Sequence, residues 1–220
     1  PFFYLADTCW SAFTNIKDND WDYYLDYRKS QGFNTLQINI LPQWDASATD
    51  LCYEPFEVID GKYNYKKLNL SYFEHADKMC ARAKEKGFEL ALVIMWCNFV
   101  PDTWASQFYS KGIMPIDCID NYINIIHETF TKYEPLYIIS GDTDFNTEQC
   151  IEYYVKCAKQ IKELAPNCLY TTHIKGRYTY IPDNLYSYLD LCFYQSGHNA
   201  QNLGMPYLLA EEMADKYKGK

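Results

Sequence analysis

Tyr137-Ile138-Ile139-Ser140-Gly141-Asp142-Thr143-Asp144-Phe145 decides how the chain is read. An apolar run of the kind a parallel sheet buries on both faces ends in Gly and Asp, and an amphipathic helical pattern follows. In an α/β barrel the carboxyl end of a strand is where chemistry is placed. Asp142 is therefore a candidate catalytic acid, and Gly141 beside it permits a sharp turn and close backbone approach.

The same strand-then-helix plan recurs on both sides of this stretch. Phe2 to Leu5 is expected to be a short first strand, and Asp20 to Gln31 its helix, ended by Gly32. Phe33 to Ile40 is the second strand, followed by a long loop to about Lys67 and a helix over Ser71 to Lys86. That helix carries Tyr72, Ala76, Met79, Cys80 and Ala83 on one stripe, and Gly87 closes it. Glu89 to Cys97 is the third strand, with a helix over roughly Ile116 to Lys132. The helix after the Tyr137 strand is expected to start at Asn146 as N-cap, with Gln149 completing a capping box, and to stop at Pro166. Cys168 to His173 is the fifth strand, with a weak short helix near Asn184 to Leu189. Asp190 to Gln195 is the sixth strand, and Met205 to Tyr217 the sixth helix.

Alternation of this kind gives a parallel sheet with right-handed crossovers. No G-x-G-x-x-G follows the first strand, so the dinucleotide-binding version loses its usual support. The fold expected is α/β, a (β/α)8 TIM-type barrel with about six of its eight β/α units present. Residues 1–220 then form a single, truncated catalytic barrel, with two further units beyond Lys220.

Composition narrows the partners. A net charge of −9 argues against nucleic acid and anionic membrane. No apolar run reaches the ~18 residues a membrane span needs. The 22 Tyr and 5 Trp supply flat amphipathic faces suited to sugars, although most of the Tyr are expected simply to fill the core with the hydroxyl reaching the surface. Nine cysteines without a C-x-x-C pair read as small hydrophobes rather than a disulfide framework. With no basic n-region ahead of the first strand, a reducing, cytoplasmic setting is expected.

Polar residues gather at the expected strand ends: Asp7 and Trp10, Gln37 and Asn39, Trp96 and Asn98, Asp142 and Asp144, His173, then Gln195, Ser196 and His198. Parallel strands would bring them to one rim. Each has a plainer reading. Asp7 can cap a turn, Trp96 can pack the core, His173 can be a satisfied core histidine, and Asp144 can be a loop or cap residue. Asp7, Asp142, His173 and His198 are legitimate metal-ligand types, but no H-x-H or H-E-x-x-H spacing appears. Interleaved aromatics and amides suit a polyhydroxylated ligand better than a cation, so no metal and no cofactor is expected. Ser196 lacks the G-x-S-x-G elbow of a hydrolase nucleophile.

At these residues the chain resembles the apiosidase-like glycoside hydrolase family. Pro1-Phe2-Phe3-Tyr4-Leu5-Ala6-Asp7-Thr8-Cys9-Trp10 is similar to that family's opening P-F-F-W-L-G-D-T-A-W. Gly32-Phe33-Asn34-Thr35-Leu36-Gln37, Trp96, Gly141-Asp142, Thr172-His173 and Gln195-Ser196-Gly197-His198 resemble its next five strand ends. The resemblance implies a (β/α)8 barrel that hydrolyses glycosidic bonds in plant-type pectic or hemicellulosic oligosaccharides. Asp142 would be one catalytic carboxylate, and a Glu ending strand seven, beyond Lys220, the other. Glu211 and Glu212 lie on the sixth helix and do not replace it. Residues flanking the fourth-strand Asp in that family commonly include Arg, whereas Thr143 follows Asp142 here, a departure that bears on which sugar is recognised.

By analogy with other barrel hydrolases Asp142 is expected to donate the proton. Asp7, Trp10, Gln37, Trp96, His173, Gln195 and His198 are expected to bind substrate. The rival readings are a non-catalytic carbohydrate-binding barrel and a metal-dependent hydrolase or isomerase.

Overall fold

The computed structural model describes residues 2–45, 51–198 and 203–219. Pro1, which opens the decapeptide motif, lies outside them. In chain order the elements are β1 (Ala6–Thr8), α1 (Ala12–Asn15), α2 (Asp18–Ser30), β2 (Thr35–Asn39), β3 (Phe56–Ile59), β4 (Lys62–Leu68), α3 (Leu70–Glu85), β5 (Glu89–Trp96), α4 (Ile119–Phe130), β6 (Leu136–Gly141), α5 (Glu148–Leu164), β7 (Leu169–Thr171), α6 (Asp183–Tyr186) and α7 (Met205–Lys216).

Five strands form one parallel sheet in the order β1-β2-β5-β6-β7, which is their order along the chain. A doubly wound sheet reverses direction at a switch point, whereas a barrel adds each new strand on the same side. The sheet is therefore part of a barrel. β5 sits at its centre, and Leu90 to Trp96 are all buried, because one face meets the barrel interior and the other the helices. The α3 stripe read from sequence, Tyr72, Ala76, Met79, Cys80 and Ala83, is buried throughout.

Several elements differ from the sequence reading, each for a local reason. The first strand lies later than Phe2–Leu5. The Asn34 side chain accepts from Leu5 N at 3.1 Å and donates to Phe3 O at 2.5 Å, occupying groups that a ladder would use. The long loop after β2 contains the antiparallel hairpin β3–β4. Its turn is Asp60-Gly61, both at positive φ (49° and 76°), which is the type I′ geometry that an Asp-Gly pair favours. Helix α5 is capped by Thr147 rather than Asn146, since the Thr147 hydroxyl accepts from Cys150 N at 3.2 Å.

The stretch from Asp190 to Gln195 opens in a bend at Asp190 and Leu191 and forms no ladder. The Asp190 carboxylate accepts from Tyr170 N at 3.0 Å, taking the donor a neighbouring strand would use. The buried tyrosines also depart from expectation. Tyr122 and Tyr170 do not reach the surface; their hydroxyls donate to Ile94 O (2.6 Å) and Ala165 O (2.5 Å), which satisfies backbone acceptors inside the core.

Among the described residues no disulfide links the cysteines, and no helix is long and apolar enough to cross a membrane.

Candidate active site

β6 ends in a crowded corner. A Cβ added at Gly141 would lie 2.1 Å from Cε3 of Trp96, so the Trp96 indole rests on a position only glycine can occupy. The next residue, Asp142, has φ of 50°, a left-handed conformation uncommon for a non-glycine residue. Both of its backbone polar groups are taken by side chains. Its N–H donates to Nδ1 of His173 at 3.0 Å, and its carbonyl accepts from Nε1 of Trp104 at 2.8 Å. These two bonds hold the strained backbone and aim the carboxyl into the cleft.

Oδ1 of Asp142 accepts from Nε2 of Gln195 at 2.7 Å. The same amide nitrogen donates to Ile174 O at 2.8 Å, which fixes the amide's orientation. Gln195 is carried to this point by close contact between two loops. Arg177 N donates to Gln195 O at 2.8 Å, and a Cβ on Gly176 would come within 3.0 Å of the Gly197 Cα.

Burial pushes the Asp142 carboxyl above the usual range. The Gln195 hydrogen bond and the Lys175 charge oppose that rise, the Asp144 charge adds to it, and His198 opposes it. Burial holds His173 down at about 4, so its ring is neutral near pH 7. Because Nδ1 accepts a backbone N–H, the ring proton sits on Nε2. Asp144, with its side chain only 4% exposed, pairs with Lys175 at 2.8 Å.

An aromatic wall stands beside the acid. Trp10 and Trp96 have ring centroids 5.3 Å apart, Trp96 and His173 5.4 Å, and Trp10 and His173 5.7 Å. The cleft is about 490 Å³ in volume, and Trp10, Gln37, Trp96, Asp142, His173, Gln195 and His198 all line it. Seven of the eight residues singled out from sequence thus converge on one rim.

Asp7 does not. Its carboxylate forms an ion pair with Nε of Arg28 at 2.5 Å and accepts from the Tyr24 hydroxyl, so it faces α2 on the outside of the sheet. Alternation along β1 explains the miss: Asp7 points to the helices and Thr8, next in line, points into the cleft. Since Asp7 is turned away, the four residues considered as metal ligands do not meet. Among the described residues no group of three or more His, Cys, Asp or Glu could hold a metal ion.

Asn39 and Asn98 are buried and do not line the cleft, and neither does Ser196. On α7, Glu212 bonds Lys216 at 2.7 Å and the Thr179 hydroxyl, away from Asp142. Sequence reasoning missed Thr8, Gln43 and Lys175 as lining residues. It also missed Trp104, which lies in the loop after β5, where no periodicity marks it.

Over residues 1–220 the chain matches the family described as "Apiosidase-like, catalytic domain". The chain belongs to that family. A glycoside hydrolase of known structure is 26% identical to this apiosidase-like domain, with a TM-score of 0.71; the match covers 90% of this chain and 43% of that one. A family 5 glycoside hydrolase from Bacteroides vulgatus superposes with a TM-score of 0.79 at 22% identity, covering 100% of this chain and 48% of its own. An endo-1,4-β-D-mannanase from Thermotoga petrophila gives 0.65 at 16% identity, covering 99% of this chain and 77% of its own.

The apiosidase-like chain thus spans less than half the length of the first two of these structures. Those under 25% identity bear on fold alone, and the fold they share is the (β/α)8 barrel. No functionally curated protein matches the chain.

Proposed function

We propose that this apiosidase-like domain carries the acid half of a two-carboxylate glycoside hydrolase acting on pectic or hemicellulosic oligosaccharides. The observation behind this reading is the state of Asp142: a carboxyl raised by burial, on a backbone locked by His173 and Trp104, beside a wall of Trp10 and Trp96. A carboxyl whose pKa is raised holds its proton more firmly than a free one and can deliver it to the departing glycosidic oxygen.

In the proposed cycle the sugar's C–H face packs against the Trp10–Trp96 wall. Gln37, Gln195 and His198 take its hydroxyls, and Nε2–H of His173 is a donor fixed in place. Asp142 protonates the leaving oxygen as the C–O bond breaks. Gln195, already bonded to Oδ1, steadies the carboxylate that remains. The second carboxylate is the Glu that the family resemblance puts at the end of strand seven. It attacks the anomeric carbon or activates water, according to its separation from Asp142.

The test is product analysis on a panel of pectic and hemicellulosic oligosaccharides with the protein that carries this domain. Release of sugar by the wild type, abolished in Asp142→Asn, supports the reading. Tight glycan binding with no release by the wild type would favour the non-catalytic barrel instead. A cytoplasmic setting is part of the same proposal and rests on the scattered cysteines; thiol trapping in intact cells that found them oxidised would contradict it.

A further inference from the structure

Beside the cleft, on the same rim, lies a second hollow of about 510 Å³, within the ~300–1,000 Å³ of small-molecule sites. It sits between the loop after β5 and the loop after β6, where Asp102, Trp104, Gln107, Ile113 and Asn146 line it. We propose that this hollow is a second saccharide subsite for an uncharged sugar of the same glycan, tied to the cleft by the Trp104–Asp142 hydrogen bond. The inference rests on the glycoside hydrolase reading above and extends it to a neighbouring sugar.

Three observations carry it. Trp104 lines the hollow and its Nε1 donates to the carbonyl of Asp142, a residue that lines the cleft. The Trp104 ring is held edge-on by Trp44 at 5.1 Å, and Trp44 is in turn near Phe108 at 6.1 Å. Ile113, 41% exposed, lines the hollow itself, while Trp44 and Phe108, 37% and 61% exposed, stand behind Trp104 outside its lining.

The loop is also preorganised. Thr103 Oγ1 donates to Cys97 O (2.5 Å) and Val100 O (3.0 Å), Ser106 Oγ to Thr103 O (2.8 Å), and Gln107 Nε2 to Trp104 O (3.1 Å). Asp102 is held in a left-handed conformation (φ 59°), and its carboxylate accepts from Thr147 Oγ1 at 2.9 Å. A loop already fixed loses little entropy on binding.

Finally, the hollow's polar groups fit hydroxyls. The exposed side-chain amide of Asn146 makes no hydrogen bond among the described residues. The amide offers both donor and acceptor, and Asp102 accepts. Among the described residues no Lys or Arg lines the hollow, and a carboxylate does, so a uronate is disfavoured relative to a neutral sugar.

The experiment is side-chain NMR on the isotope-labelled protein, titrated with neutral and uronate-bearing pectic and hemicellulosic oligosaccharides of two to six residues. The amide of Gln195 and the indoles of Trp10 and Trp96 report the cleft. The amides of Asn146 and Gln107 report the hollow. Shifts in both sets with a neutral ligand, with affinity for the longest such ligand lowered about tenfold by Asn146→Ala, are the expected result. Shifts confined to the cleft reporters would overturn the second subsite and leave the cleft reading standing. Shifts confined to the hollow would support the subsite and contradict the cleft reading. No shift in either set would overturn both.

Discussion

The backbone N–H of Asp142 donates to Nδ1 of His173 at 3.0 Å, tying the acid at the end of β6 to the histidine just past β7. The histidine acts here through its acceptor, so it must stay neutral, and burial keeps it so by lowering its pKa to about 4. Below the ordinary value of about 6.5 the unfolded chain takes up a proton that the native state refuses. Stability should therefore fall as pH drops from about 6.5 toward about 4. Denaturant melts of wild type and His173→Asn, compared over that window, should differ by on the order of 1–3 kcal/mol in their pH dependence. Identical slopes would contradict a buried neutral imidazole.

Asp142 titrates with the opposite sign. Its native pKa is raised, so between the ordinary carboxyl value and that raised value the native state holds more protons than the unfolded one. Its contribution to stability is greatest below that window and declines as pH rises through it. Replacing it with Asn removes the cost of burying a charge. Asp142→Asn should melt at the same temperature as wild type at low pH and a few degrees higher near neutrality, roughly the effect of 1 kcal/mol on a domain of this size. A lower melting point at neutral pH would show that the carboxylate is stabilised where it sits.

Gly141→Ala should be severe although it adds one methyl group. The new Cβ would meet the Trp96 ring at 2.1 Å, and the ring's neighbours Trp10 and His173 belong to the site itself. Overpacking of this kind costs roughly 1–3 kcal/mol. Calorimetry should show that loss together with a changed near-UV tryptophan signal. A variant with wild-type stability and spectrum would mean that the indole has room to move.

Asp7 offers a way to separate fold from function. Its carboxylate is engaged by Arg28 and Tyr24 on α2. Asp7→Asn should lower stability by about 1–3 kcal/mol, as expected when one partner of a half-buried charged cluster is removed. Glycan affinity should change less than threefold. A large loss of affinity at unchanged stability would return Asp7 to the cleft.

How much of this was legible in the sequence follows from which forces are local. β5 and β6 were readable because strands buried on both faces are written as unbroken apolar runs, and α3 because its stripe has helical spacing. The carboxyl ends of β5 and β6 could then be counted off, which is why Trp96 and Asp142 were found, and the next apolar run, β7, led to His173. Asp7 failed because a three-residue strand gives too little alternation to show which face an individual side chain takes. The stretch from Asp190 to Gln195 looked like a strand by composition, yet a single Asp190 carboxylate replaces its ladder. Lys175 and Trp104 lie in loops with no periodicity, and their places depend on contacts with Asp144 and Asp142. The Asp60-Gly61 turn was a local signal that could have been read.

The central claim is that Asp142 donates a proton to the leaving group, and leaving-group dependence tests it most directly. With the protein that carries this domain, rates of wild type and Asp142→Ala are compared on the natural linkage and on aryl glycosides of the same sugar with increasingly acidic phenols. Loss of a general acid should cost about 10²–10⁴-fold where the departing oxygen needs a proton, and much less for the most acidic phenol, which leaves unaided. An equal loss on every leaving group, or no loss at all, would contradict the account.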